Sequence, residues 1–121
     1  GERVWHVALP SFLGAAGLLA GTLSGEPVLA MAALVVAAIG ICAALPTFWT
    51  LPTALLSGTA AAGGIALINS IGNLGGFVGP YAVGWLKGAG LTTAGAVAWI
   101  AAFMILSGIT ALVAGRTRQA D

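Results

Sequence analysis

Three long stretches of this chain contain no Asp, Glu, Lys or Arg, and they limit what it can fold into. They are residues 4–25, 27–86 and 88–115, of 22, 60 and 28 residues. A helix needs about 20 apolar residues to cross about 30 Å of hydrocarbon at 1.5 Å of rise per residue. The first and third stretches each fit one crossing. The middle stretch fits two crossings and a turn.

Composition agrees. Only 6% of the 121 residues are charged and 60% are hydrophobic, whereas a soluble domain carries about 25% charged residues. The formal net charge of +1 supplies no field for a phosphate backbone, which excludes a nucleic-acid partner. One cysteine, Cys42, excludes an internal disulfide and a multi-cysteine metal site.

The turn inside the middle stretch can be placed. Pro46, Pro52, Ser57 and Gly58 cluster between two apolar runs, with Trp49 among them. Proline removes a backbone donor and clashes with the preceding turn, and tryptophan favours the membrane–water boundary. The pattern predicts four helices at about 5–23, 28–49, 59–86 and 92–114, joined by loops 24–27, 50–58 and 87–91. A membrane β-barrel would alternate apolar and polar residues over about ten positions. Continuous runs such as Val28 to Leu45 do not. The fold class expected is an all-α membrane protein with four transmembrane helices and no soluble domain.

Orientation follows from Lys and Arg. With four crossings both termini share a side, which carries Arg3, Arg116 and Arg118 with His6 nearby. The other side carries Lys87, opposed by Glu26. The expected arrangement has both termini and the 50–58 loop in the cytoplasm. The opening Gly1-Glu2-Arg3 has no initiator methionine or secretory basic region, so the chain reads as a fragment cut inside a loop.

Nineteen glycines would each cost about 1 kcal/mol relative to alanine in a soluble helix. In lipid they let helix backbones approach closely. Gly72/Gly76 and Gly75/Gly79 form two overlapping small-residue steps, which predicts that the third helix is the most tightly packed and central one. The Gly17/Gly21 step of the first helix reads as a chance spacing.

The third helix also carries the polar residues. Its middle is near residue 72, so Asn69 and Asn73 lie close to mid-depth. Being four apart, they share a face, which Gly76 and Pro80 continue. An amide without a partner in hydrocarbon costs several kcal/mol, so this face must meet a helix or a watery cavity. Two readings stand. The amides are glue between helices, or they are a solute site offering donors and acceptors together. Pro80 frees the Gly76 carbonyl and, with Gly79, permits a bend, as in helices beside transport sites. Trp49, at the end of the second helix, reads as a cavity lid or an interfacial anchor.

No span contains an ionisable Asp, Glu, Lys or Arg, the groups that ion-coupled pathways use. No nucleophile–base pair, His/Cys cluster or phosphate loop is present. An enzyme is not expected, nor is a cofactor or a metal.

The segments Pro46-Thr-Phe-Trp-Thr-Leu-Pro52 and Leu56-Ser-Gly-Thr-Ala-Ala-Ala-Gly-Gly-Ile-Ala-Leu-Ile-Asn-Ser-Ile-Gly-Asn-Leu-Gly-Gly-Phe-Val-Gly-Pro80 strongly resemble the major facilitator superfamily. Within it they resemble the anion:cation symporters, which include tartrate, phthalate, hydroxyphenylacetate and sugar-acid permeases. Glu2-Arg3-Val4-Trp5-His6-Val7 looks like the tail of the cytoplasmic loop before the ninth helix of that family. The resemblance implies helices nine to twelve of a twelve-helix transporter in the inner membrane. It implies proton-coupled alternating access for small organic anions. Thr47, Trp49, Asn69, Ser70 and Asn73 would contact substrate. Gly72, Gly75, Gly76, Gly79 and Pro80 would serve packing and hinging. The family's anion-pairing arginines and proton-carrying acids lie in the missing amino-terminal half, so protons would reach this chain only through that half. Two other readings remain: a four-helix multidrug exporter, which would need a glutamate that the first helix lacks, and a non-transporting membrane scaffold.

Overall fold

The structure, a computed structural model, describes residues 2–54 and 56–117. Four helices follow one another: α1 (Glu2–Leu23), α2 (Pro27–Thr53), α3 (Gly58–Gly88) and α4 (Thr93–Thr117). Each is long and apolar enough to cross a membrane. Leu55, Arg118 and Asp121 lie outside the described residues, so of the arginines used for orientation only Arg3 and Arg116 fall on described helix ends.

The helices are longer than the sequence pattern predicts, chiefly at the end of α2. That helix runs through Pro46 and Pro52 to Thr53 instead of stopping at Trp49. A proline removes one backbone bond, which breaks a helix in water but is tolerated in membrane helices. Pro10 in α1 and Pro80 in α3 are likewise internal.

α1 is the packing centre. It runs antiparallel to α2 on one side and to α4 on the other, and α3 touches only α2 and α4. The reason is visible atom by atom. A Cβ placed on Gly40 would lie 2.5 Å from the Gly14 nitrogen and 2.6 Å from the Pro10 carbonyl oxygen. One on Gly17 would lie 2.6 Å from the Ala37 nitrogen and 2.7 Å from the Ala33 oxygen. The α1 and α2 backbones are therefore in direct contact along Pro10, Gly14 and Gly17 against Ala33, Ala37 and Gly40. On the other side the Phe12 ring lies over Gly108, and Val4 over Gly115. The buried side chains include Val7, Ala8, Ala15, Ala37 and Ala101, with Ser11 donating its hydroxyl to the Val7 carbonyl at 2.8 Å.

Two expectations are corrected here. Gly17 is no chance spacing, since it is one of the closest contacts in the fold. α3 is not central, since it has no buried residue. A Cβ on Gly72, Gly75, Gly76 or Gly79 would meet nothing within 4 Å. Small residues tighten an interface only where the facing helix presents small residues at the same height. That holds for α1 and α2, but no atom of another described helix comes within 4 Å of a Cβ on Gly72, Gly75, Gly76 or Gly79.

The α3–α4 turn is built by Gly90, at φ +94°. Its N–H donates to the Lys87 carbonyl at 3.1 Å, and the Leu91 N–H donates to the Leu86 carbonyl at 3.0 Å. This pattern closes the helix end and calls for glycine at the left-handed position.

Gly40→Leu is expected to destabilise the protein by about 1–3 kcal/mol through overpacking. Gly25→Ala, in open space, should change stability by less than about 0.5 kcal/mol. Thermal unfolding in detergent distinguishes them. Gly90→Ala should speed hydrogen exchange at the residue 90 and Leu91 amides, since alanine strains the left-handed conformation by about 1–2 kcal/mol.

Candidate functional site

At about 100° per residue, α3 divides into two faces. Ile65, Ile68, Gly79, Val83 and Leu86 are half-buried and turn toward the rest of the chain. Asn69, Asn73, Gly76 and Pro80 lie about a third of a turn away and are exposed. Neither Asn amide has a hydrogen-bond partner among the described residues. The Ser70 hydroxyl donates to the Ala66 carbonyl of its own helix at 2.8 Å, which leaves its oxygen lone pairs to accept from outside. The polar residues thus form one ledge of amide donors and acceptors along a helix whose other face meets α2 and α4. Phe77 and Tyr81 stack beside this ledge, with centroids 6.3 Å apart and planes 11° from parallel.

At the end of α2, Trp49 and Thr47 are half-buried. The Trp49 and Phe48 rings meet edge to face at 5.6 Å. Thr50 donates to the Thr47 carbonyl at 2.7 Å and Thr53 to the Trp49 carbonyl at 2.8 Å. These hydroxyls bond carbonyls of their own helix, and the turn around Trp49 is helical although proline flanks it on both sides.

The structure does not bring all the expected site residues together. Trp49 stands about one turn from the end of α2 and Asn69 about three turns into α3. At 1.5 Å per residue they differ in depth by roughly 10 Å. Asn69, Ser70 and Asn73 make one group, and Thr47 and Trp49 a second, nearer the 54–57 link. Gly72, Gly75, Gly76 and Gly79 line open space. Cys42 is exposed. Sequence reasoning also missed a crevice of about 410 Å³ between α3 and α4, lined by apolar and glycine residues from Gly75 to Leu86 and by Trp99, Ile100 and Phe103. The Trp99–Phe103 spacing was its only sequence signal.

Cysteines placed at Asn69 and Asn73 should react with a small water-soluble maleimide faster than one placed at Ile68. Equal rates at all three positions would mean that the ledge meets no water.

No protein-family model and no solved structure matches the chain. Curated relatives do. The chain is 46% identical over 117 residues, 97% of its length, to a protein of Agrobacterium vitis named as a tartrate transporter. It is 45% identical over 114 residues to the inner membrane transport protein RhmT of Escherichia coli. It is 51% identical over 89 residues to a quinolone resistance transporter of Acinetobacter baumannii. The match occupies 27%, 26% and 20% of these three relatives, so the chain spans about a quarter of their length or less. These relatives are transporters, none is named as an enzyme, and the four apolar helices place the chain in a membrane. Over nearly its whole length the chain is thus similar to part of proteins named as membrane transporters, which fits a portion of a major facilitator-type transporter.

Proposed function

We propose that this chain is the carboxy-terminal portion, helices nine to twelve, of a proton-coupled symporter for small organic anions of the inner membrane. The observation that carries the reading is the amide ledge of α3, polar at mid-depth and left uncovered by α1, α2 and α4. An uncovered amide in hydrocarbon is costly, so the ledge calls for a watery route on that side. Asn69 and Asn73 would donate N–H groups to carboxylate or hydroxyl oxygens, and their carbonyls would accept from substrate hydroxyls. Ser70 would accept beside them. Trp49 and Thr47, nearer the end of α2, would line the way to and from this group and close it on the cytoplasmic side. Gly76, Gly79 and Pro80 would let α3 bend as access alternates.

The tartrate-transporter relatives favour a hydroxylated dicarboxylate as the first substrate to test. Amides alone do not balance a double negative charge, so the anion-pairing cations and the proton-carrying acids belong to the rest of the transporter. Both termini and the link between α2 and α3 are assigned to the cytoplasm, on the strength of Arg3, Arg116 and Arg118 against Lys87.

Uptake of labelled tartrate by cells expressing the full-length transporter tests this reading. Asn69→Ala should raise the apparent KM about tenfold or more, the effect of losing a hydrogen bond to a charged group. Because an amide does not titrate, the pH profile of uptake should keep its position. Wild-type uptake by both Asn69→Ala and Asn73→Ala would refute the site. For orientation, a cysteine at Ser57 should be labelled from the cytoplasmic side alone.

A further inference from the structure

Pro80 sits inside α3 and has no N–H. In a helix that N–H would serve the carbonyl four residues back, which is that of Gly76. No donor from outside α3's own backbone reaches the Gly76 oxygen among the described residues. Gly76 and Pro80 are both exposed, and a Cβ on Gly76 would meet nothing within 4 Å. The middle of α3, which runs Gly58–Gly88, is at Asn73, and three rises of 1.5 Å put Gly76 about 4.5 Å from it. At that depth lipid offers no donor, and a carbonyl without one is costly.

The chain's other internal prolines do not build the same group. The residues four before Pro10 and Pro52 lie within about two turns of a helix end, where water supplies donors. Pro46 acts on Cys42, near the middle of α2, but the neighbours of Cys42 on its face are Ala38, Ile39, Leu45 and Pro46, all apolar. Around Gly76 the neighbours are amides. At about 100° per residue, Asn69, Asn73, Gly76 and Pro80 fall within about 60° of arc. α3 thus carries two amides and one main-chain acceptor on a single line.

The acceptor adds what the amides lack. An Asn side chain can turn its N–H₂ or its carbonyl toward a ligand, so it takes a carboxylate and a hydroxyl alike. A main-chain carbonyl only accepts, and an ionised carboxylate has no hydrogen to give it. A hydroxyl on the carbon beside a carboxylate can donate to Gly76 while the carboxylate accepts from Asn73, one turn back. A substrate without that hydroxyl leaves the carbonyl unpaired.

We propose that the main-chain carbonyl of Gly76, released by Pro80, is the hydroxyl-recognising acceptor of the amide ledge and selects hydroxy acids over their deoxy counterparts. The proposal rests on the reading of α3 as a substrate wall.

Inhibition of labelled tartrate uptake by unlabelled tartrate and by succinate, the same carbon chain without hydroxyls, tests it in the full-length transporter. Pro80→Ala returns an N–H to the Gly76 carbonyl. It should lower the preference for tartrate over succinate about fivefold, the worth of one hydrogen bond between neutral groups. Pro80→Gly, which supplies the same N–H, should do likewise. Lactic acid placed at position 80 by nonsense suppression gives an ester, which has neither N–H nor ring, and should keep the wild-type preference. Asn73→Ala should weaken both acids. A preference untouched by Pro80→Ala and Pro80→Gly would overturn the proposal. So would an ester that lowers the preference as alanine does, since the ring and its bend would then be the cause. If Asn73→Ala still weakens both acids in those cases, the ledge stands and only the role of Gly76 falls. No tartrate uptake by the wild type, or no effect of either Asn69→Ala or Asn73→Ala on either acid, would remove the substrate wall and this proposal with it.

Discussion

The contact of the α1 backbone with the α2 backbone sets the rest of the arrangement. Between membrane helices there is no hydrophobic driving force, since lipid is as apolar as leucine, and association depends on close van der Waals approach. Glycine at residues 14, 17 and 40 gives that approach, and the heights agree: Gly14 faces Gly40, and Gly17 faces Ala37. With α1 fixed to α2, its opposite side accepts α4 through Phe12 on Gly108 and Val4 on Gly115. These three helices form one body. α3 is attached to it by its two ends and a half-buried face, and it keeps its amides for something else.

This division separates two uses of the same residue type. The glycines of α1 and α2 exclude side chains so that backbones touch. A Cβ on Gly72, Gly75, Gly76 or Gly79 of α3 would meet nothing within 4 Å, and on the proposed reading their smallness serves bending and sliding. On the proposed reading, stability and transport draw on different helices, with Gly40 serving the fold and Asn69 the substrate.

Much of the fold was legible in the sequence, because the absence of charge is a strong constraint. The gaps between Glu26, Lys87 and the terminal arginines gave four crossings, and the α1 and α4 boundaries followed within a few residues. The end of α2 was not legible, because proline in lipid does not end a helix as it does in water. The packing order was misread for a related reason. A glycine step shows that close approach is possible, but the partner's height decides whether it happens, and a single helix's sequence does not contain that height. The amide ledge was legible, as the four-residue spacing of Asn69 and Asn73 and their common face required no partner to be known. The distance in depth between Trp49 and Asn69 followed only once α2 was seen to reach Thr53.

One further property follows from spans that contain no ionised side chain. The work that the membrane potential does on a moving element is the charge carried times the voltage crossed, about 2.3 kcal/mol per elementary charge per 100 mV. Glu26 and Lys87 sit at helix ends, and between 27 and 86 there is no charge to carry. A tilt or bend of α3 therefore moves no side-chain charge from residues 58 to 86 across the field. On the proposed reading, the charge moved in turnover is borne by the cargo, the ions that travel with it and the remaining helices, while the middle of α3 shifts with little work from the membrane potential.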